Sequence, residues 1–183
     1  MMSWKNTTAR YGILSAGIHW LMLLLLVAVY GSIELRELFE KNSDPREALK
    51  TWHFMLGMLV FLLVWLRIAA RFSGHTPTIH PEPVAWQQLS AKLLHLALYA
   101  LMIAMPISGW LVLSASGKVI PFFGLELPAL IEENKDLAKQ IKKVHEFVGT
   151  TGYYLIGLHV IAALYHHYIK RDDTLTRMLP GRD

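Results

Sequence analysis

Cysteine is absent from the 183-residue chain, which excludes disulfides, thiolate-ligated iron–sulfur clusters and thioether-linked haem. Charge is also scarce. Asp, Glu, Lys and Arg make up 17% of residues, against about a quarter in ordinary soluble domains. The formal net charge of +4 is modest, and the basic residues are scattered through polar segments. That distribution lacks the basic stripe of a nucleic-acid-binding surface, so no nucleic-acid partner is expected. No internal repeat or low-complexity tract is visible. Apolar residues, in contrast, make up 54% of the chain, and the mean hydropathy is +0.34.

The apolar residues fall into long runs. A bilayer core about 30 Å thick takes about 20 helical residues to cross, and four segments meet that length: 11–33, 51–72, 89–113 and 147–169. The expected fold class is all-α, an integral membrane four-helix bundle forming a single domain over residues 1–183. The first run could be mistaken for a secretory signal, but it is long and continuous and no A-x-A site follows Tyr30, so it is read as a permanent helix. A segment with Pro77, Pro81 and Pro83 and a longer one from Ser114 to Val144 read as extramembrane loops. Late in the second loop, Leu137, Ile141 and Val144 recur at i, i+4, i+7, so helix four is expected to begin outside the bilayer as an amphipathic extension. The 18 Lys and Arg divide equally between the two faces, with Arg182 counted on the side of the termini. The positive-inside rule therefore does not decide orientation, although Arg67, Arg71, Lys170 and Arg171 at span ends favour termini on the inner side.

Ionisable groups inside a membrane are costly and call for an explanation. Taking the outer boundary near Ile33, Thr51, Leu113 and Val144 puts His53 and His145 at that boundary. His19 lies 14 residues below Ile33, and His159 lies 14 residues beyond His145. Fourteen helical residues rise about 21 Å through nearly four turns, so His145 and His159 share a face of helix four. The histidines thus sort into two levels of two. Facing imidazoles at each level could ligate one haem iron from both sides, giving two b-type haems. Small neighbours agree: Gly57 and Gly149 each follow their histidine by four residues, Ser15 precedes His19 by four and Ala163 follows His159 by four. The alternative is polar glue, histidines hydrogen-bonded between helices. A zinc site is disfavoured, since no carboxylate or thiol completes either level.

Other polar residues allow two readings each. His95 is placed about a turn deeper than the inner level, and His166 and His167 lie at the inner end of helix four. They are proton-relay or quinone-contact candidates, or simply solvated. Arg67 could meet a haem propionate or be a snorkelling anchor. Lys139, Lys142 and Lys143 form either an anion-attracting patch or a solvated face. Pro106 and Gly109 read as a packing kink rather than a site. His75 and His80 read as solvated loop residues.

Several landmarks occur in order: Gly17-Ile18-His19-Trp20, His53 with Gly57, Val144-His145-Glu146, the stretch from Gly152 to His159, and a tail of His166-His167-Tyr168, Thr174-Leu175 and Arg177-Met178-Leu179-Pro180. In this the chain resembles the bacterial cytochrome b561 family over essentially its whole length. The resemblance implies an inner-membrane four-helix bundle with both termini cytoplasmic and four haem ligands, which map onto His19, His53, His145 and His159. It implies pairing of His53 with His145 and of His19 with His159. One type in that family is a superoxide oxidase, which passes electrons from superoxide at the outer face to ubiquinone. Related di-haem subunits instead dock to a hydrogenase or dehydrogenase partner. The superoxide reading takes Lys142 and Lys143 as residues serving the anion and His166 and His167 as residues serving the quinone.

Overall fold

The structure, a computed structural model, describes residues 4–72 and 74–179. Pro180 of the landmark tail and Arg182 of the charge balance lie outside the described residues. Four long helices dominate: α1 (Ile13–Leu35), α2 (Asp44–Phe72), α3 (Ala85–Ala115) and α4 (Lys135–Tyr165). All four are long and apolar enough to cross a bilayer. Little of their most apolar stretches is buried, from 11% in α4 to 28% in α2. Side chains such as Leu24, Val27, Leu66, Leu93, Phe147 and Ile161 are exposed. An apolar surface of that extent is stable only against lipid.

The helices outrun the apolar runs. Helix α2 starts at Asp44, seven residues before Thr51, with Asp44 and Glu47 in its first turn, where acidic side chains favour the positive end of the helix dipole. Helix α4 starts at Lys135. There Asn134 accepts the Leu137 amide at 3.0 Å, a side-chain cap for a free N–H. Within α3, Pro106 is buried and the helix continues through it.

The chain forms two compact units. A terminal unit contains Met1–Leu21, Trp65–Ala100 and Thr151–Asp183, and a second unit contains Met22–Val64 and Leu101–Thr150. In the terminal unit a buried Arg177 ties three segments together. Its Nη1 donates to the Pro77 carbonyl at 2.6 Å, its Nε pairs with Asp173 at 3.3 Å, and its guanidinium lies over Tyr11 at 5.9 Å. Trp20 Nε1 donates to the Met178 carbonyl at 2.8 Å, so the tail closes back on α1. Asn6 accepts the Gly12 amide at 3.0 Å. A Cβ on Gly12 would fall 2.5 Å from the Trp4 and Lys5 backbone, which excludes any other residue there.

In the second unit, the segment read as plain loop contains a hairpin of β1 (Ile120–Phe122) and β2 (Leu125–Leu127), with Ile120 opposite Leu127. Its two-residue turn is Phe123-Gly124, both at positive φ (46° and 87°). This is the turn geometry whose twist suits adjacent strands. The period-2 signal is only three residues per strand, too short to stand out in the sequence. The Phe123 ring meets Trp52 edge-on at 6.2 Å, and the Phe123 amide donates to Met55 Sδ at 3.4 Å, seating the turn beside the start of α2. Arg46 Nη1 donates to the carbonyls of Arg36 and Phe39, at 3.0 and 2.9 Å, and Nη2 pairs with Glu37 at 2.8 Å.

Candidate cofactor sites

In the second unit, His53 on α2 and His145 on α4 face each other with ring centroids 6.3 Å apart and planes at 80°. His53 Nδ1 lies 3.0 Å from the Val29 carbonyl on α1. A carbonyl only accepts, so Nδ1 carries the proton and Nε2 keeps its lone pair. His145 Nδ1 lies 2.8 Å from Ser108 Oγ on α3, and Ser108 Oγ also lies 2.8 Å from the Met105 carbonyl. The single hydroxyl proton must go to that carbonyl, so Ser108 accepts from His145 Nδ1–H. Both rings therefore present Nε2 as a donor of electron pairs, with tautomers fixed by their partners.

Space is arranged around the same rings. A Cβ on Gly109 would stand 3.4 Å from His145 Cε1. Gly109 and Ser108 thus belong to the surroundings of His145, which corrects the reading of this stretch as a packing kink alone. Half-buried Gly57 has nothing within 4 Å of where a Cβ would be, leaving room next to His53. At Gly149 a Cβ would meet only the flexible end of Met105, at 3.2 Å, and its carbonyl accepts the Tyr30 hydroxyl at 3.0 Å.

In the terminal unit, His19 on α1 and His159 on α4 repeat the arrangement, with centroids 6.2 Å apart and planes at 75°. Gly17 and Gly157 have nothing within 4 Å of a Cβ. The ring of His95 on α3 lies 5.4 Å from that of His159, so it is a neighbour of the pair, at a distance that an offset of about one helical turn also allows. That contact was not expected from residue numbers, because a contact between side chains depends on the tilt and rotation of the helices, which numbering does not carry. Arg67 lies over Tyr99 at 5.9 Å, and its charge bears on both His19 and His159.

The spacing tests whether such pairs suit a metal. Two metal–imidazole bonds of about 2.0 Å, plus about 1.1 Å from each nitrogen to its ring centre, put facing centroids about 6 Å apart. Both pairs have this separation. No group of three or more His, Cys, Asp or Glu able to hold a metal occurs among the described residues. The donor sets therefore suit an iron whose in-plane ligands come from a porphyrin better than they suit a zinc site.

The remaining candidates separate. Lys139 pairs with Asp136 at 3.0 Å and Lys142 with Glu146 at 3.5 Å. Lys143 is exposed and makes no ion pair among the described residues, so the patch is less cationic than three lysines suggest. His166 is hydrogen-bonded to the buried Asp172 at 2.5 Å, whereas the His167 ring packs against Tyr168 at 4.7 Å. His75 and His80 are exposed. Ser108 and Asp172 were absent from the sequence candidates. Ser108 sits beside Pro106 and Gly109, where small and helix-breaking residues mark a place of close approach, and Asp172 follows the landmark His166-His167-Tyr168.

Similarity to known proteins extends over nearly the whole chain. Residues 10–181 match the family model described as prokaryotic cytochrome b561. The chain is 36% identical to "Cytochrome b561 homolog 1" of Escherichia coli (strain K12), covering 90% of this chain and 94% of that protein. It is 39% identical to "Probable superoxide oxidase CybB" of Yersinia pestis, covering 94% and 97%. "Cytochrome b561 homolog 2" of E. coli is 31% identical, covering 97% and 95%. The chain belongs to the prokaryotic cytochrome b561 family of multi-pass, electron-transferring membrane proteins that bind b-type haem.

Proposed function

We propose that the chain works as one domain holding two b haems, one between His53 and His145 and one between His19 and His159, and that it oxidises superoxide and reduces ubiquinone. The observation that carries this reading is the repeated spacing of 6.3 and 6.2 Å between facing rings, one pair in each unit, at the distance an iron between two imidazoles requires. Haems held by these histidine pairs would supply one-electron transfer, since an iron bound by two histidines would leave no position for a substrate. The net reaction balances as two superoxide, one quinone and two protons giving two dioxygen and one quinol. The 39% identical relative named probable superoxide oxidase supports this choice of substrate.

In this reading the chain's own residues divide the work. Lys143, with Lys142 beside it, favours approach of an anion at the His145 end of α4. Arg67 would neutralise a haem propionate near His19 and His159. His166 and His167, at the other end of α4, serve proton delivery to quinone. The chain would sit in the bacterial inner membrane with both termini cytoplasmic, which places Arg67, Arg71, Lys170 and Arg171 on the positive side.

A second reading has a specific observation in its favour. Val119, Phe123, Leu125 and Leu130 are large apolar side chains exposed around the hairpin, a surface that a dehydrogenase or hydrogenase partner could cover. In that case the chain is an electron-transfer subunit between quinone and the partner.

The deciding experiment is haem quantification by pyridine haemochrome, followed by exposure of the oxidised protein to a superoxide source with and without ubiquinone. Two haems per chain, reduced by superoxide and reoxidised by quinone, are expected. One haem or none per chain would refute the ligand pairs. Haems inert to superoxide but rapidly reduced by a purified partner would replace the first reading with the second.

A further inference from the structure

We propose that Asp172 is a positioning residue that makes His166, rather than His167, the proton donor to quinone. The inference rests on the quinone-reducing half of the proposed function.

The local backbone is built for this contact. Helix α4 ends in a π-helical turn over His166–Lys170, a widening common at functional sites. It closes with Arg171 in the left-handed region at φ 55°. That reversal brings the Asp172 amide back to the His166 carbonyl at 3.2 Å and the Asp172 carboxylate to His166 Nδ1 at 2.5 Å. The Asp172 side chain is only 3% exposed and that of His166 17%. The second carboxylate oxygen accepts the Thr174 amide at 2.9 Å, so both oxygens are held. Burial would push the Asp172 carboxyl up, but the hydrogen bonds from His166 and Thr174 outweigh it and keep the group below the usual carboxylate range. Asp172 is therefore an anion that only accepts, which fixes the proton on Nδ1 and leaves Nε2 as the position that meets a substrate.

A carboxylate in this position orients the imidazole, as the aspartate of a hydrolase triad does. His167 has no such partner among the described residues, and its contact is the Tyr168 ring. Tyr165 meets His166 edge-on at 5.8 Å, while Lys170 and Arg171 on the same turn are exposed.

The step conserves atoms and charge. Each electron delivered to the quinone is accompanied by one proton. His166 protonated at both nitrogens gives up its Nε2–H as an O–H bond forms on the quinone oxygen, which leaves a neutral ring with its proton on Nδ1, and Nε2 takes up a proton from the aqueous phase before the second transfer. The electrons originate in superoxide, which leaves as dioxygen.

The test uses purified, haem-loaded, chemically reduced protein mixed in a stopped flow with either ubiquinone-1 or ferricyanide, the second an oxidant that needs no proton. Asp172→Asn keeps the shape and an acceptor at Nδ1 but removes the charge. It is expected to slow reoxidation at saturating ubiquinone-1 by about 100-fold, the lower range for loss of general acid catalysis. The half-saturating quinone concentration and the ferricyanide rate should be unchanged, and Asp172→Glu should regain most of the quinone rate. A wild-type quinone rate in Asp172→Asn, or equal slowing with both oxidants, would overturn the proposal. Should Asp172→Asn lose its haem, His166→Gln takes its place, and a normal quinone rate there is equally decisive against it. Reduced wild-type protein that ferricyanide oxidises but ubiquinone-1 does not would instead remove the quinone reading itself, and this inference with it.

Discussion

Replacing Ser108 with alanine removes one oxygen atom and, with it, the side-chain acceptor for His145 Nδ1–H. The bond is 2.8 Å long, and the Ser108 proton is already committed to the Met105 carbonyl, so toward His145 the hydroxyl acts only as an acceptor. An acceptor at Nδ1 makes the imidazole a stronger donor at Nε2, which favours ferric over ferrous iron. Its loss should therefore raise the reduction potential of the haem proposed to lie between His53 and His145. A neutral hydrogen bond contributes about 0.5–1.5 kcal/mol net. At about 59 mV for each tenfold, or 1.4 kcal/mol, in a one-electron couple, the upper end corresponds to about 60 mV. Only the part that differs between the two oxidation states counts, so an upward shift of at most about 60 mV is expected. A spectroelectrochemical titration of the purified variant should resolve two one-electron components, one raised and the other unmoved, and Ser108→Thr should restore the original value. Unshifted components in a variant with full haem content would refute either the ligand role of His145 or the hydrogen bond as the means of tuning it.

Three further outcomes can be checked. His53→Ala and His145→Ala should each remove the same haem, and His19→Ala and His159→Ala the other, read from haem content and the optical spectrum; opposite losses within a pair would break the pairing. Lys143→Glu should slow haem reduction by superoxide several-fold at low salt and hardly at all at high salt, because exposed charges are screened beyond about 8 Å at physiological ionic strength. Lys139→Glu should do less, since Lys139 is already paired with Asp136; a rate independent of salt in both would count against steering. Arg177→Ala should destabilise the terminal unit by about 2–4 kcal/mol, because it strips the buried Pro77 carbonyl of its donor and Asp173 of its cation. Thermal unfolding followed by haem absorbance measures this, and an unchanged midpoint would show that the arginine is not a structural hub.

The four spans and the four histidines were legible from residue types and spacing alone. A run of apolar residues long enough to cross lipid has few alternatives, since no other backbone form but a helix or closed barrel satisfies itself there. Histidine within such a run is rare enough to mark a site by itself. Helix α3 shows where this kind of reading stops. It supplies no member of either pair, yet its Ser108 and Gly109 surround His145 and its His95 touches His159. These relations depend on the rotation and tilt of α3 against its neighbours, which arise from packing and have no periodicity to betray them. The hairpin at Ile120–Leu127 was hidden for another reason, that three residues per strand are too few for alternation to register. The bond between His166 and Asp172 was invisible because it needs the π-helical turn and the left-handed Arg171. Sequence determined which residues are apolar enough to span a membrane and which histidines among them are costly enough to need a partner; tertiary structure alone decided their hydrogen-bond partners, because hydrogen bonds at 2.5–3.0 Å are set by backbone geometry that composition and spacing do not encode.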